Sequence, residues 1–198
     1  MSLESVRSWL AANAPDLPLI EVEESTATVE TAARALGVEP GRIAKTLAVR
    51  AWLARHAPDL PLIEVAASTA TVATAAAALG VEPGRIAKTL AVRVGGETFL
   101  LVARGDARLD NAKTKAAFGG RPRMLGADET LALTGHPVGG VCPFGLATPL
   151  PVYCDLSLRA FDRVYPAAGS LNSSVEVTPD RLFALVAKAW VDVCKAPD

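Results

Sequence analysis

A lysine set in the middle of an apolar, strand-like run is costly unless an anion or polar groups receive it, and this chain carries that arrangement twice. The decapeptide Gly-Arg-Ile-Ala-Lys-Thr-Leu-Ala-Val-Arg occupies residues 41–50 and again 84–93, so Lys45 and Lys88 share one local context. Read as a strand, the second copy places Ile86, Lys88, Leu90 and Val92 on one side and Ala87, Thr89, Ala91 and Arg93 on the other. The ammonium therefore sits on the more apolar side. Either it snorkels outward from the start of the strand, or it faces a cavity that takes an anion.

A second chemically suggestive element is the run Gly139, Gly140, Val141, Cys142, Pro143, Phe144 and Gly145. Glycines permit positive φ and close approach of a ligand, while proline stiffens the turn. Such a loop can aim several backbone N–H groups at one oxygen, as an oxyanion or phosphate cradle does; it can equally be an ordinary tight connection. Cys142, with His136 six residues upstream, raises a thiol nucleophile, but a small side chain filling loop space is the simpler reading. No GxxxxGK[ST], GxGxxG or GxSxG motif occurs, so the usual nucleotide cradles and the hydrolase nucleophile elbow are excluded.

The elements that must position these residues come as a tandem repeat. Residues 8–50 and 51–93 align without a gap and differ at Ser8/Ala51, Ala12/Arg55, Asn13/His56, Glu23/Ala66, Glu24/Ala67, Glu30/Ala73 and Arg34/Ala77. Two such units are too few for a solenoid, so the pattern reads as a duplication inside a single-domain protein. Each unit reads as helix, strand, helix, strand. In the second, Val72, Ala75, Ala76 and Leu79 form an apolar stripe between the N-cap Thr71 and the stop Gly80; Val29, Ala32, Ala33 and Leu36 repeat it between Thr28 and Gly37. The first copy adds an exposed Glu30–Arg34 pair at i, i+4.

The copies differ in their continuation. After Arg93 comes Val94-Gly95-Gly96-Glu97 and an apolar run from Thr98 to Ala103, the grammar of a β-hairpin. The first copy instead runs from Arg50 into the helical segment 51–56, so its strand lacks an adjacent partner. Lys88 is thus the lysine expected to be integrated. Further on, Asp110 caps a helix ending at Gly119, residues 127–134 form another, 135–145 are loop, and 151–156 a strand. Thr178 and Pro179 open a helix whose apolar series runs Leu182, Leu185, Val186, Ala189. Interleaved helices and strands with a hairpin predict a mixed α+β or α/β domain.

Bulk properties agree. The chain has 198 residues, 51% of them hydrophobic, and a net charge of −1. It carries three cysteines without CxxC spacing and only two histidines, His56 and His136, which suggests neither a disulfide framework nor a zinc site. No signal-peptide core or membrane span is evident, so a soluble cytoplasmic protein is expected. Arg104, Arg108, Lys113, Lys115, Arg121 and Arg123 cluster against Asp106 and Asp110, as a basic patch or as a solvated helix face.

Taken together, the Ile86-Ala87-Lys88-Thr89-Leu90 run, the loop from Gly139 to Gly145, Asp155, and Ala168-Gly169-Ser170 leading to Val177-Thr178-Pro179 resemble the YbaK-type aminoacyl-tRNA deacylases, relatives of the prolyl-tRNA synthetase insertion domain. The resemblance covers residues 51–198 as one deacylase-like domain and leaves 1–50 as a surplus copy or swapped element. It implies a barrel-like mixed β-sheet surrounded by helices. It also implies cofactor-free and metal-free hydrolysis of an amino acid wrongly esterified to tRNA, usually tRNA for proline. Carried over, Lys88 would bind the 3′-terminal phosphate or ribose, with Lys45 as its duplicate. The loop amides would hold the aminoacyl group, and Asp155, Gly169 and Ser170 would line or flank the pocket. The basic stretch would contact the acceptor stem.

Two readings compete. A module of this shape could bind tRNA or another nucleic acid without catalysis, or could use Cys142 as a thiol nucleophile. The duplicated segment could also replace the second copy in the sheet or dock into a second chain, giving a homo-oligomer or swapped dimer.

Overall fold

The structure is a computed structural model and describes residues 45–197, with side chains from Val49 onward. The first-copy expectations on Thr28 to Gly37, including the Glu30–Arg34 pair, lie outside the described residues.

The chain order is α1 (Lys45–His56), β1 (Leu62–Glu64), α2 (Val72–Leu79), a 3-10 turn at Pro83–Arg85, β2 (Ile86–Val94), β3 (Glu97–Arg104), β4 (Arg108–Leu109), α3 (Asn111–Phe118), β5 (Arg123–Met124) and α4 (Ala127–Thr134). Then come β6 (Val152–Asp155), a 3-10 turn at Leu156–Ala160, β7 (Tyr165–Pro166), β8 (Ser173–Val175), α5 (Pro179–Val186), β9 (Ala189–Val191) and β10 (Cys194–Lys195). The fold is mixed α+β.

The organising unit is the β2–β3 hairpin. Gly95 and Gly96 take φ of 58° and 95°, the two positive angles a tight hairpin turn of this type demands. Register runs from Val94↔Glu97 back to Ala87↔Arg104. Phe99 through Ala103 are all buried, because β3 lies between β2 and β6 and is covered on both faces; a continuous apolar run is what such a strand requires. β6 joins β3 in parallel and β9 joins β6 in parallel, making a mixed sheet in the order β5-β2-β3-β6-β9.

One face carries Ala87, Ala91, Leu100, Val102, Val152 and Cys154, packed against Val49 and Leu53 of α1, Phe144, Leu158 and Leu182 of α5. The other carries Val92, Val94, Leu101 and Ala103, with Val193 and Cys194 and with Phe118 of α3 against it. Phe118 stacks on Phe99 at 4.6 Å between ring centroids, and Tyr153 meets both edge-on. Ile86 packs with Ala75 and Ala76 of α2.

Three sequence expectations change. The sheet is mixed and flanked by helices, but it is an open path and not a closed barrel among the described residues. The end of the first copy is not a strand: α1 begins at Lys45 and crosses the repeat junction, with Val49 fully buried. The C-terminal helix stops at Val186, and Ala189 belongs to β9 instead. There the Lys188 N–H donates to the Val152 carbonyl at 2.8 Å, so a ladder bond to β6 replaces another helical turn.

β2 is flanked unevenly on the side away from β3. Its first residues pair with β7 (Ile86↔Tyr165, Ala87↔Pro166) and its last with β5 (Val92↔Met124, Arg93↔Arg123). Between these two short strands the edge of β2 is uncovered by any strand among the described residues.

Candidate functional site

A cavity of about 270 Å³ opens at that gap. Its lining includes Val72, Ala75 and Leu79 of α2 with Ile86, together with Thr69, Gly139, Val141, Ser173 and Ser174; the exposed Met124 and Val138 stand at its rim. Both rim side chains are large, apolar and exposed, at 50% and 60%. Its lining includes β2 residues of both parities, Ile86, Lys88 and Leu90 as well as Ala87, Thr89 and Ala91.

Lys88 is the only charged residue lining the cavity among the described residues. The ammonium lies on the same side of β2 as Ile86, where Nζ donates to the Gly105 carbonyl at 2.9 Å and to the Ala107 carbonyl. Neither of the two sequence alternatives describes this fully: the side chain is half-buried and capped by backbone oxygens. Burial pulls its pKa below the usual lysine range, opposed by the nearby Cys194 and Asp106. An ammonium has three N–H donors, so two carbonyls leave one for a ligand.

Gly105 makes this seat possible. A Cβ there would collide with the Pro83 carbonyl and the Val72 side chain, so the backbone turns under Lys88 only without one. The neighbouring Asp106 is held by Arg104, which donates from Nε and Nη2 at 2.5 and 2.7 Å. That hydrogen-bonded guanidinium keeps the Asp106 carboxyl below the ordinary aspartate range, and the Arg104 guanidinium lies 5.0 Å from the Phe161 ring centroid.

The Gly-rich loop contributes in part. Gly139 (φ 91°) and Val141 line the cavity, and a Cβ on Gly139 would press on the Ala70 carbonyl at 2.9 Å. Gly140 packs against the Ser170 backbone. Cys142, Pro143 and Phe144 are buried beneath, and Gly145 (φ 58°) closes the turn. The sequence treated all seven as one cradle; the structure divides them into two that face the cavity and the rest that anchor the loop.

Cys142 and His136 do meet, at 3.5 Å, yet the arrangement is not that of a nucleophile and base. His136 Nε2 lies 2.9 Å from the Phe144 carbonyl, which can only accept, so that nitrogen carries the proton and has no lone pair for the thiol. Full burial pushes the Cys142 thiol up to about 12, and a neutral buried thiol is inert.

Asp155 does not line the cavity. It is buried in the core, where Oδ1 accepts from Ser157 N–H and Oδ2 from the N–H groups of Val193 and Cys194. It clamps the C-terminal strand to the sheet. Ser170 is likewise internal, its hydroxyl bonded to Asn172 and Ser173, and Gly169 (φ 86°) shapes the turn before it. Lys45 has a helical backbone rather than the extended one that seats Lys88.

Sequence reading missed Thr69 and Thr89, whose buried hydroxyls lack a hydrogen-bond partner among the described residues and which both line the cavity. The one signal for Thr89 was its place beside the lysine in the repeated decapeptide. Of the six basic residues singled out, Arg104 and Lys113 are committed to Asp106 and Asp192. Arg108, Lys115, Arg121 and Arg123 are exposed and form no ion pair among the described residues. Nor do these hold any group of three or more His, Cys, Asp or Glu placed to bind a metal, or a helix long and apolar enough to cross a membrane.

Comparison with known proteins decides the family. The aminoacyl-tRNA editing domain family matches residues 66–185, a span that contains β2, the Gly-rich loop and most of the cavity wall. The chain belongs to this family. The chain is 46% identical over 196 residues to the uncharacterized protein YwhH of Bacillus subtilis (strain 168), covering 98% of each chain. Its fold matches the crystal structure of a candidate trans-editing enzyme for prolyl tRNA synthetase at 34% identity and a TM-score of 0.70, across 77% of this chain and 98% of that one. A hypothetical protein, APE2540, is similar at 33% identity and a TM-score of 0.68, across 75% and 99%. These likenesses support the YbaK-type resemblance, with tRNA as the ligand that an editing domain implies.

Proposed function

We propose that this editing domain is a deacylase acting in trans on mischarged tRNA for proline, with Lys88 and the Gly139–Val141 wall as its working parts and no metal in the reaction. The observation that carries the reading is the cavity at the β2 gap, whose lining includes both Lys88 and the glycine loop. An aminoacyl ester is already activated. It needs orientation, charge stabilisation at the carbonyl oxygen and a water or neighbouring hydroxyl as nucleophile.

Lys88 supplies the positive charge for the terminal phosphate or ribose, using the N–H that Gly105 and Ala107 leave over. At about 270 Å³ the cavity lies at or below the small end of ligand pockets, which favours a small amino acid such as alanine, serine or cysteine over a bulky one. The exposed Arg108, Lys115, Arg121 and Arg123 lie where a phosphate backbone can be neutralised. Lys45 is the catalytic duplicate only in sequence, and the swapped or oligomeric use of residues 1–50 is a further element of the proposal.

The test is release of alanine, serine and cysteine from charged tRNA for proline by the full chain and by Lys88→Ala. Loss of turnover by at least a hundredfold with the fold intact is expected. Tight binding of tRNA without deacylation by the unaltered protein would replace this reading with the non-catalytic one. Affinity should fall linearly in log–log terms with salt, and Arg121→Ala and Arg123→Ala should each lower that slope by about one.

A further inference from the structure

The gap in β2 exposes a particular set of backbone atoms. The Leu125 N–H donates to the Ala91 carbonyl at 3.0 Å, and the Val92↔Met124 and Arg93↔Arg123 register extends that pattern. In a strand the N–H and C=O of one residue point to the same edge, and neighbouring residues alternate. Ala91 therefore fixes the polarity of the whole strand: Lys88 and Leu90 turn their backbone groups toward β3, and Thr89 turns its own away from it, into the gap. β7 reaches only to Ala87 and β5 only to Val92, so neither ladder includes Thr89.

Thr89 thus offers a backbone donor and a backbone acceptor side by side, together with a hydroxyl that has no partner among the described residues. The Thr69 hydroxyl, on a residue 7% exposed, is a second unmet polar group in the same cavity. Buried polar groups are nearly always satisfied, and such a concentration of exceptions marks a place where something else makes the bonds. No carboxylate among the described residues lines the cavity, so a cationic ligand group there is met by neutral oxygens.

We infer that the Thr89 backbone is the subsite for the main-chain atoms of the aminoacyl group: its carbonyl accepts from the ligand's α-ammonium and its N–H donates to the acyl carbonyl oxygen. The match is to one residue. In an antiparallel ladder a hydrogen-bonded pair exchanges both bonds between the amino and carbonyl groups of a single residue on each side, and an α-amino acid esterified through its carboxyl carries both groups. The ligand completes the sheet as a bridge one residue long, with β7 and β5 on either side. Lys88 approaches from the other face of the strand, so the two contacts do not compete. This assignment rests on the deacylase reading for the identity of its ligand.

The experiment is backbone amide exchange followed by NMR on the full chain, with 3′-deoxy-3′-(L-alanylamino)adenosine as a non-hydrolysable probe and its desamino propionyl counterpart as control. In the free protein the Thr89 amide should exchange at least tenfold faster than those of Lys88 and Leu90. Saturation with the alanyl probe should slow it at least tenfold, and the propionyl control should bind at least tenfold more weakly. A Thr89 amide as protected as its neighbours before the probe is added, or unchanged at saturation, overturns the subsite, as does failure of the probe to bind at millimolar concentration. Deacylation of charged tRNA is read separately. Protection of Thr89 without turnover leaves the subsite standing and defeats the deacylase reading; turnover without protection does the reverse.

Discussion

The hexapeptide Lys-Thr-Leu-Ala-Val-Arg is a helix at residues 45–50 and a strand at residues 88–93. Val49 and Val92 occupy the same place in the two copies and both are fully buried, so burial is conserved while conformation is not. In α1 the valine belongs to a helical stripe with Trp52, Leu53 and Ala57; in β2 it alternates with Leu90 and Val94. Leu, Ala and Lys favour helix while Thr and Val favour strand, by margins of tenths of a kcal/mol per residue, and pairing with β3 or continuation into Ala51–His56 easily outweighs them. Local sequence supplies a hydrophobic side chain, and the downstream neighbours decide how it is presented.

The largest expected effect tests the lysines. Lys88→Ala should abolish deacylation, whereas Lys45→Ala should leave turnover within about threefold of the parent, because the helical copy has no hairpin to seat it. Equal losses in the two variants would mean that both copies build sites. Next come the valines: Val49→Ala and Val92→Ala should each lower unfolding free energy by about 2 kcal/mol in urea denaturation. A loss confined to Val92 would show that α1 contributes nothing to the domain core.

A third prediction concerns the surroundings of Lys88 alone. Arg104 holds the Asp106 pKa down, so this pair stabilises the fold at pH values above the unfolded aspartate pKa, and the contribution disappears as pH falls through the lower folded value. Asp106→Asn should cost about 1 kcal/mol at pH 7, with the difference in Tm shrinking progressively as pH falls below the unfolded aspartate value. A constant difference across that range would remove the carboxylate from the account. Cys142→Ala should retain activity within about threefold while lowering stability by about 1 kcal/mol. Thiol-dependent turnover would contradict its burial.

The smallest effect separates the two arginines. Arg50 pairs with Glu64 at 3.1 Å with both side chains about half exposed, while Arg93 is less exposed and bonds to both Glu129 and Thr98. Arg50→Ala should change stability by about 0.3 kcal/mol or less and Arg93→Ala by about 1 kcal/mol. The reverse order would put α1 in a more demanding environment than its exposure suggests.

The features legible in the sequence were local. Thr71 and Gly80 bound α2, Asp110 and Gly119 bound α3, and Gly95-Gly96 makes the turn of the hairpin, because caps and turns depend on side chains a few residues away. The α1 start was missed because the repeat suggested a strand where continuation into residues 51–56 wins. β7, β9 and the parallel pairings with β2 and β6 were missed because they join residues far apart in the chain. Lys88, Gly139 and Val141 were legible as cavity residues; Asp155 and Ser170, read as pocket residues, lie buried outside its lining, since a polar residue near a ligand and one clamping a strand look alike in sequence. Thr89 was hardest, because its backbone groups are distinctive only through the absence of a neighbouring strand.

That missing neighbour also bears on aggregation. Unpaired strand edges invite other chains, and a run long enough for an ordinary strand of about five or six residues would be a hazard. Here β7 and β5 stop the uncovered stretch at Ala87 and Ala91. A foreign strand has no room to extend, while a ligand of one residue does, and the same sheet edge is made selective by its shortness.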